Sequence, residues 1–221
     1  MICKYTCTAG TPVPKVGEWA IATRKTAEQI CADIVDAAIE VAGRKGIDAL
    51  THRAVAQAAG VSLSSTTYHY ASREDIIAAA FRHTVATELA EMRANTARLA
   101  AMAQSEPAKV RTAVDEWLRQ IMVSEPRGRV YMRAQYELQL YAVAKPSMRD
   151  EVGAWQDETN DLFAHLFGVL GAPQPTLAGQ IVVAAVDGLR LAFLTSTQSL
   201  EEADEACSAA LVWLTGLILG G

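Results

Sequence analysis

Sustained alternation of apolar and polar residues is missing from this chain, and with it the main signature of a half-buried strand. Aromatic residues are scarce, at 6%. There is no glycine-rich phosphate loop and no Gly-x-Ser-x-Gly turn, which removes sequence support for nucleotide binding or acyl transfer. Four cysteines (Cys3, Cys7, Cys31, Cys207) make no zinc pattern, and the four scattered histidines form no Glu-x-x-His or His-x-x-x-His pair. No metal and no cofactor is therefore expected. Cys31 and Cys207 read as reduced thiols in a core. A membrane span is not expected either: the uncharged run from Leu162 to Val186 is broken by Pro173 and Pro175, and Ala206 to Gly221 is too short. No basic segment followed by an apolar one opens the chain, so no signal peptide is expected, and the cytoplasm is the expected location.

What is present is a chain of 221 residues, 51% hydrophobic and 20% charged, enough for one large core or two smaller ones. Its charge is uneven. Residues 1–100 hold 11 Lys+Arg against 10 Asp+Glu, whereas 101–221 hold 9 against 15, which together give the net −5. A polyanion partner is thus compatible with the front half and disfavoured at the back.

Helical periodicity fills nearly everything after residue 25, so the expected class is all-α. Thr11-Pro-Val-Pro14 and Gly17 make residues 1–22 an expected unstructured arm. Thr26 with Gln29 is a capping box for a first helix with Ile30, Ile34, Ala37, Ala38 and Val41 on one face, ended by Gly46. Thr51 caps a short helix to Gly60, and Ser62 caps another to about His69. Ser72 with Asp75 opens a long helix with Ile77, Phe81, Val85, Leu89, Met92, Thr96 and Leu99 inward. Further helices are expected from Pro107, from Arg129 to Ala144, from a Ser147/Asp150 cap, from Thr176 to Thr197, and from a Ser199/Glu202 cap to Leu219.

Residues 51–69 carry the most information. Two short helices joined at Gly60 fit a helix-turn-helix, whose second helix enters the DNA major groove. Ser64, Ser65, Thr66, Thr67, Tyr68 and His69 are poor helix formers but offer hydroxyls, a phenol and an imidazole suited to base edges and phosphates. Here the sequence resembles the tetracycline-repressor-like (TetR-type) transcriptional regulators. The resemblance rests on Ala37-Ala38, Gly46, Ala49-Leu50-Thr51, Val55-Ala56-x-x-Ala59-Gly60-Val61-Ser62 and Tyr68-His69-Tyr70-Ala-Ser72-Arg73-Glu74-Asp75-Ile76-Ile77. It covers about residues 26–82, with a weaker echo at Asp187-Gly188-Leu189.

The resemblance implies a helix-turn-helix domain over 23–71 and a larger helical ligand-binding and dimerisation domain over 72–221. It implies that Thr51 faces phosphate with Arg53 in the same turn, and that Ser62, Ser64, Ser65, Thr67, Tyr68 and His69 lie at the groove. Arg73 takes a phosphate-contacting position, and Arg24 and Lys25 reach the backbone or minor groove. The sequence departs from the commoner pattern at Thr66-Thr67, where an aliphatic-Tyr pair is usual, and at Tyr70, where Phe is usual.

The back half carries small residues beside large apolar ones on two helices, suggesting a second subunit. Residues 117–163 concentrate Trp117, Met122, Tyr131, Met132, Tyr136, Tyr141, Trp155 and Phe163, with Arg133 and Glu137 among them, and this region is the expected effector pocket. The expected function is a homodimeric, ligand-released repressor on a palindromic operator in double-stranded DNA, with an unknown small-molecule effector. The alternatives are an all-α enzyme, for which no acid, base or metal cluster is found, and a helical interaction protein without DNA affinity.

Overall fold

The computed structural model describes residues 25–122, 128–197 and 200–220. Every regular element in it is helical: α1 (Ala27–Lys45), α2 (His52–Ala59), α3 (Leu63–His69), α4 (Arg73–Ser105), α5 (Pro107–Met122), α6 (Gly128–Val143), α7 (Arg149–Val169), α8 (Pro175–Thr195) and α9 (Leu200–Leu219). Single 3₁₀ turns, Ile47–Ala49 and Pro146–Met148, lead out of α1 and into α7.

Local chemistry sets most of the front boundaries. Thr26 and Ser72 form complete capping boxes, Thr51 accepts from the Ala54 amide, and Ser62 accepts from the Ser65 amide. Gly60 closes α2 in the left-handed conformation at φ +66°, which an L side chain resists, and so turns the chain sharply into α3. The expected Ser147/Asp150 cap does not form, because the chain enters α7 through the 3₁₀ turn and Met148 takes the cap position without a side-chain bond. Ser199 and residues 1–24, with Arg24 and the expected arm, lie outside the described residues.

Two cores divide the molecule. The first gathers Ile34, Ala38, Leu50 and Val55 with Ile76, Ile77 and Phe81 of α4, and with Ala134, Leu138 and Ala142 of α6. The second joins Leu99, Val114, Trp117, Leu118, Met132, Phe163, Phe167, Val182, Phe193 and Leu211. Both cores therefore draw on α4 and α6, and the first core extends past the expected boundary at residue 71. A side-chain carbon on Gly43 would lie 2.1 Å from the Val130 carbonyl oxygen, so only glycine lets α1 and α6 approach this closely.

Helix α8 is long and apolar enough, by length and composition, to cross a membrane, which the count of uncharged residues had not revealed. In the fold its inner face packs on α7 and carries Arg190, which is 5% exposed. Its outer face leaves Leu177, Ile181 and Leu191 exposed, and α9 adds Trp213 and Leu217.

Candidate nucleic-acid interface and effector cavity

The helix-turn-helix is held together from behind. Thr66 is fully buried at the base of α3: its hydroxyl donates to the Leu63 carbonyl at 2.8 Å and lies 3.3 Å from His52 Nδ1 on α2. A hydroxyl at this inward position is thus satisfied on both sides. Tyr70 sits partly buried against the first core, and burial, followed by Cys31, raises its phenol above the ordinary range.

The outward side of α3 presents Ser62, Ser64, Thr67 and Tyr68, all exposed; Tyr68 stands 85% exposed. Ser62 Oγ lies 2.8 Å from Ser64 Oγ and 3.0 Å from Ser65 Oγ, while Thr67 donates to the Leu63 and Ser64 carbonyls at 3.2 Å. The Thr67 proton is engaged within the helix, leaving its lone pairs and methyl for an incoming partner. His69 is half-buried, with Nδ1 3.3 Å from Cys31 Sγ on α1 and its ring edge-on to Tyr68. It sits at the margin of the surface and also ties α3 to α1. Arg53 is exposed at the start of α2, and Lys25 pairs with Asp33 at 2.7 Å.

Arg73, expected at phosphate, also makes two hydrogen bonds within the chain. Its Nε donates to the Leu50 carbonyl and its Nη2 to the Ile47 carbonyl, both at 2.7 Å, with Tyr141 6.0 Å from the guanidinium carbon. These bonds fasten the connection between α1 and α2. The two carbonyls lie 23 and 26 residues upstream, so a sequence motif alone did not show that they compete with phosphate for this side chain.

The residues expected to share one pocket separate into three groups. Trp155 and Phe163 line a cavity of about 30 Å³ among α4, α5, α7 and α8, together with Glu88, Met92, Asp187 and Arg190. Trp117 stacks on Phe163 at 5.3 Å, and Met132 is buried in the second core; both are packing behind that cavity. Tyr136 reaches its edge, donating to the Asp187 backbone carbonyl at 3.0 Å with Arg190 5.9 Å from its ring.

Tyr131, Arg133, Glu137 and Tyr141 lie instead toward α1 and the helix-turn-helix unit. Glu137 accepts from the Ile47 amide at 3.1 Å and pairs with Arg133 at 3.4 Å, Tyr141 packs beside Arg73 and Lys145, and Tyr131 joins the first core. Helical spacing explains the split: α6 is clamped between the two cores, so neighbours in sequence face opposite sides. The side chain of Met122 lies outside the described residues.

Glu88, Asp187 and Arg190 were not expected at the cavity. Arg190 Nη1 lies 3.4 Å from Glu88, and Nη2 donates to the Gln135 side-chain oxygen on α6. Burial raises the Glu88 and Asp187 carboxyls above their usual range, an effect that Arg190 partly offsets in each case. Tyr136 is pushed up to about 12, by burial above all. A signal was available in the sequence: Asp187 and Arg190 interrupt an apolar helix three residues apart, and buried charges need partners. Among the described residues no group of three His, Cys, Asp or Glu side chains is placed to hold a metal.

Comparison with known proteins agrees with this architecture. Residues 34–80 match the family model for bacterial regulatory proteins of the tetR family, and residues 108–218 match that for the tetracyclin repressor-like C-terminal domain. The multidrug binding protein EbrR, solved with malachite green, is 30% identical, with 83% of this chain and 96% of that one covered at a TM-score of 0.57. A member of the TetR family from Streptomyces coelicolor A3 is also 30% identical, covering 84% and 98% at 0.54. A transcriptional regulator from Rhodococcus sp. Rha1 is 22% identical, covers 86% and 96% at 0.67, and shares the fold. Among curated proteins no sequence matches this chain.

Proposed function

The chain belongs to the TetR family of bacterial regulatory proteins, and from that premise we propose that it is a cytoplasmic, homodimeric repressor released from a palindromic operator by a small-molecule effector. DNA binding and transcription regulation follow from the family; repression, release and symmetry are the further reading. The observation that carries it is the surface of α3: Ser64, Thr67 and Tyr68 stand outward on a helix whose inner side is fixed by Thr66. Ser62, Ser65 and His69 border that surface, and Thr51, Arg53, Arg24 and Lys25 supply the proposed phosphate contacts. Specific DNA recognition needs such side chains held rigidly at groove distance.

Dimerisation is supported by the exposed apolar residues of α8 and α9, which form a surface a solitary molecule would leave in water. A two-fold dimer reads two half-sites when its recognition helices lie about 34–36 Å apart. The effector reading is supported by the cavity between the helices and by EbrR, which has been solved with ethidium, malachite green and proflavin. An apolar or partly aromatic molecule suits the Trp155 and Phe163 walls. Selection of bound fragments from the source genome, followed by footprinting, tests the proposal. A protected inverted repeat is expected; protection of random sequence alone would overturn sequence-specific regulation.

A further inference from the structure

Resting on the reading of this cavity as the effector site, we infer that it selects lipophilic aromatic cations and that Arg190 is a resident cation which the effector displaces. Charge comes first. Two carboxyl groups, Glu88 and Asp187, line the cavity against one guanidinium, so with all three ionised the site carries a surplus negative charge. That charge lies beside Trp155 and Phe163, in a setting where a cation over an aromatic face is stabilised most.

Arg190 already occupies that role, but incompletely. Its guanidinium carbon is 5.9 Å from the Tyr136 ring centre, and its nearest Glu88 contact is 3.4 Å. Although the residue is only 5% exposed, its Nε finds no hydrogen-bond partner among the described residues, and neither does Trp155 Nε1 in the same lining. A buried arginine with an unmet donor is held less firmly than a fully paired one.

Size makes the same point. About 30 Å³ admits roughly two water molecules, whereas drug-sized ligands need roughly 300–1,000 Å³. Side chains must therefore leave before such a ligand enters. The cation that competes directly for Glu88 and Asp187 is Arg190. Its departure also frees Gln135 on α6, two residues from the Glu137 that braces Ile47 in the DNA-binding unit.

Burial supports the same reading through protons. Glu88 faces Arg190 and Asp187 on α8 and Glu91 on its own helix; Asp187 faces Arg190, Glu88 and, from α6, Tyr136. Both carboxyls retain protons more readily than free ones, and a bound cation favours their ionised forms, so cation binding releases protons and strengthens as pH rises.

The test uses crystal violet, a permanent cation, and its neutral leuco form, which keeps nearly the same carbon skeleton, titrated calorimetrically into the full chain without DNA. Crystal violet should bind on the order of tenfold tighter or more. Asp187→Asn should reduce its affinity on the order of tenfold and leave the leuco form unchanged. Arg190→Met, which removes the competing charge, should strengthen crystal violet binding; if that variant does not fold, the dye pair and Asp187→Asn decide. Equal affinity for both dyes, undiminished binding to Asp187→Asn, or binding of neither dye overturns the inference. Operator binding measured in the same samples tests the regulator reading separately, since it does not depend on either dye.

Discussion

Glu137 on α6 accepts a hydrogen bond from the backbone amide of Ile47, 3.1 Å away and 90 residues earlier in the chain. The contact joins the larger helical unit to the turn that leads from α1 into the helix-turn-helix. Arg73 on α4 holds the Ile47 and Leu50 carbonyls of the same connection. One short 3₁₀ turn is thus gripped by α4 and by α6 through hydrogen bonds.

Replacing Glu137 with Ala leaves the Ile47 amide and Arg133 without this partner. A lost charge-assisted bond of this kind costs about 1.5–3 kcal/mol, to be read from urea unfolding. In the same variant, operator release by an effector should weaken, because α6, which holds Arg190 through Gln135, loses its bond to the turn.

Arg73→Ala should lower stability while leaving the slope of log affinity against log salt nearly unchanged, because two donors of the side chain are already engaged by carbonyls. Arg73→Lys should not restore stability, since one ammonium does not reproduce the forked geometry that spans two carbonyls. A salt slope reduced by about one would return Arg73 to the phosphate backbone.

Ser64→Ala, Thr67→Ala and Tyr68→Ala should each weaken specific binding by about 1–3 kcal/mol in fluorescence anisotropy, with smaller losses on random duplex. Loss to the same extent on both would reduce these side chains to positioning the protein. His69→Ala should add a stability defect, because it also removes the contact with Cys31.

Gly188→Leu separates folding from association. A side-chain carbon added there meets nothing within 4 Å in the single chain, so intrinsic packing should be unaffected. The residue lies between exposed Ile181 and Leu191 on α8, where bulk would hold a second α8 away. Sedimentation should show weaker dimerisation and circular dichroism an unchanged helix content; an undisturbed dimer would place the interface elsewhere.

Asp187→Asn should raise the melting temperature at neutral pH. Burial raises the folded-state pKa of Asp187 above its unfolded value, so its favourable contribution is present in acid and is lost as pH rises through the folded value. The variant's advantage should therefore shrink toward acid pH, where the carboxyl is protonated in both states. Melts from acid to neutral pH measure the trend.

Much of the fold was legible in the residues because helix starts are local events. Thr26, Thr51, Ser62 and Ser72 cap their helices through amides three positions away, and the apolar spacing of Ile77, Phe81, Leu89 and Leu99 already marked the inner face of α4. The outward hydroxyls of α3 were legible for the same reason, since a short helix with one fully buried residue, Thr66, leaves Ser64 and Thr67 exposed. Tertiary structure alone decided where the charges went. Arg73 turned to carbonyls more than 20 residues upstream, Glu137 to an amide 90 residues upstream, and Arg190 to Glu88 and Gln135 on two other helices. A long polar side chain is placed by whichever unpaired group packing brings within reach, and sequence periodicity specifies a helix face but not the groups that the opposite helix brings to it.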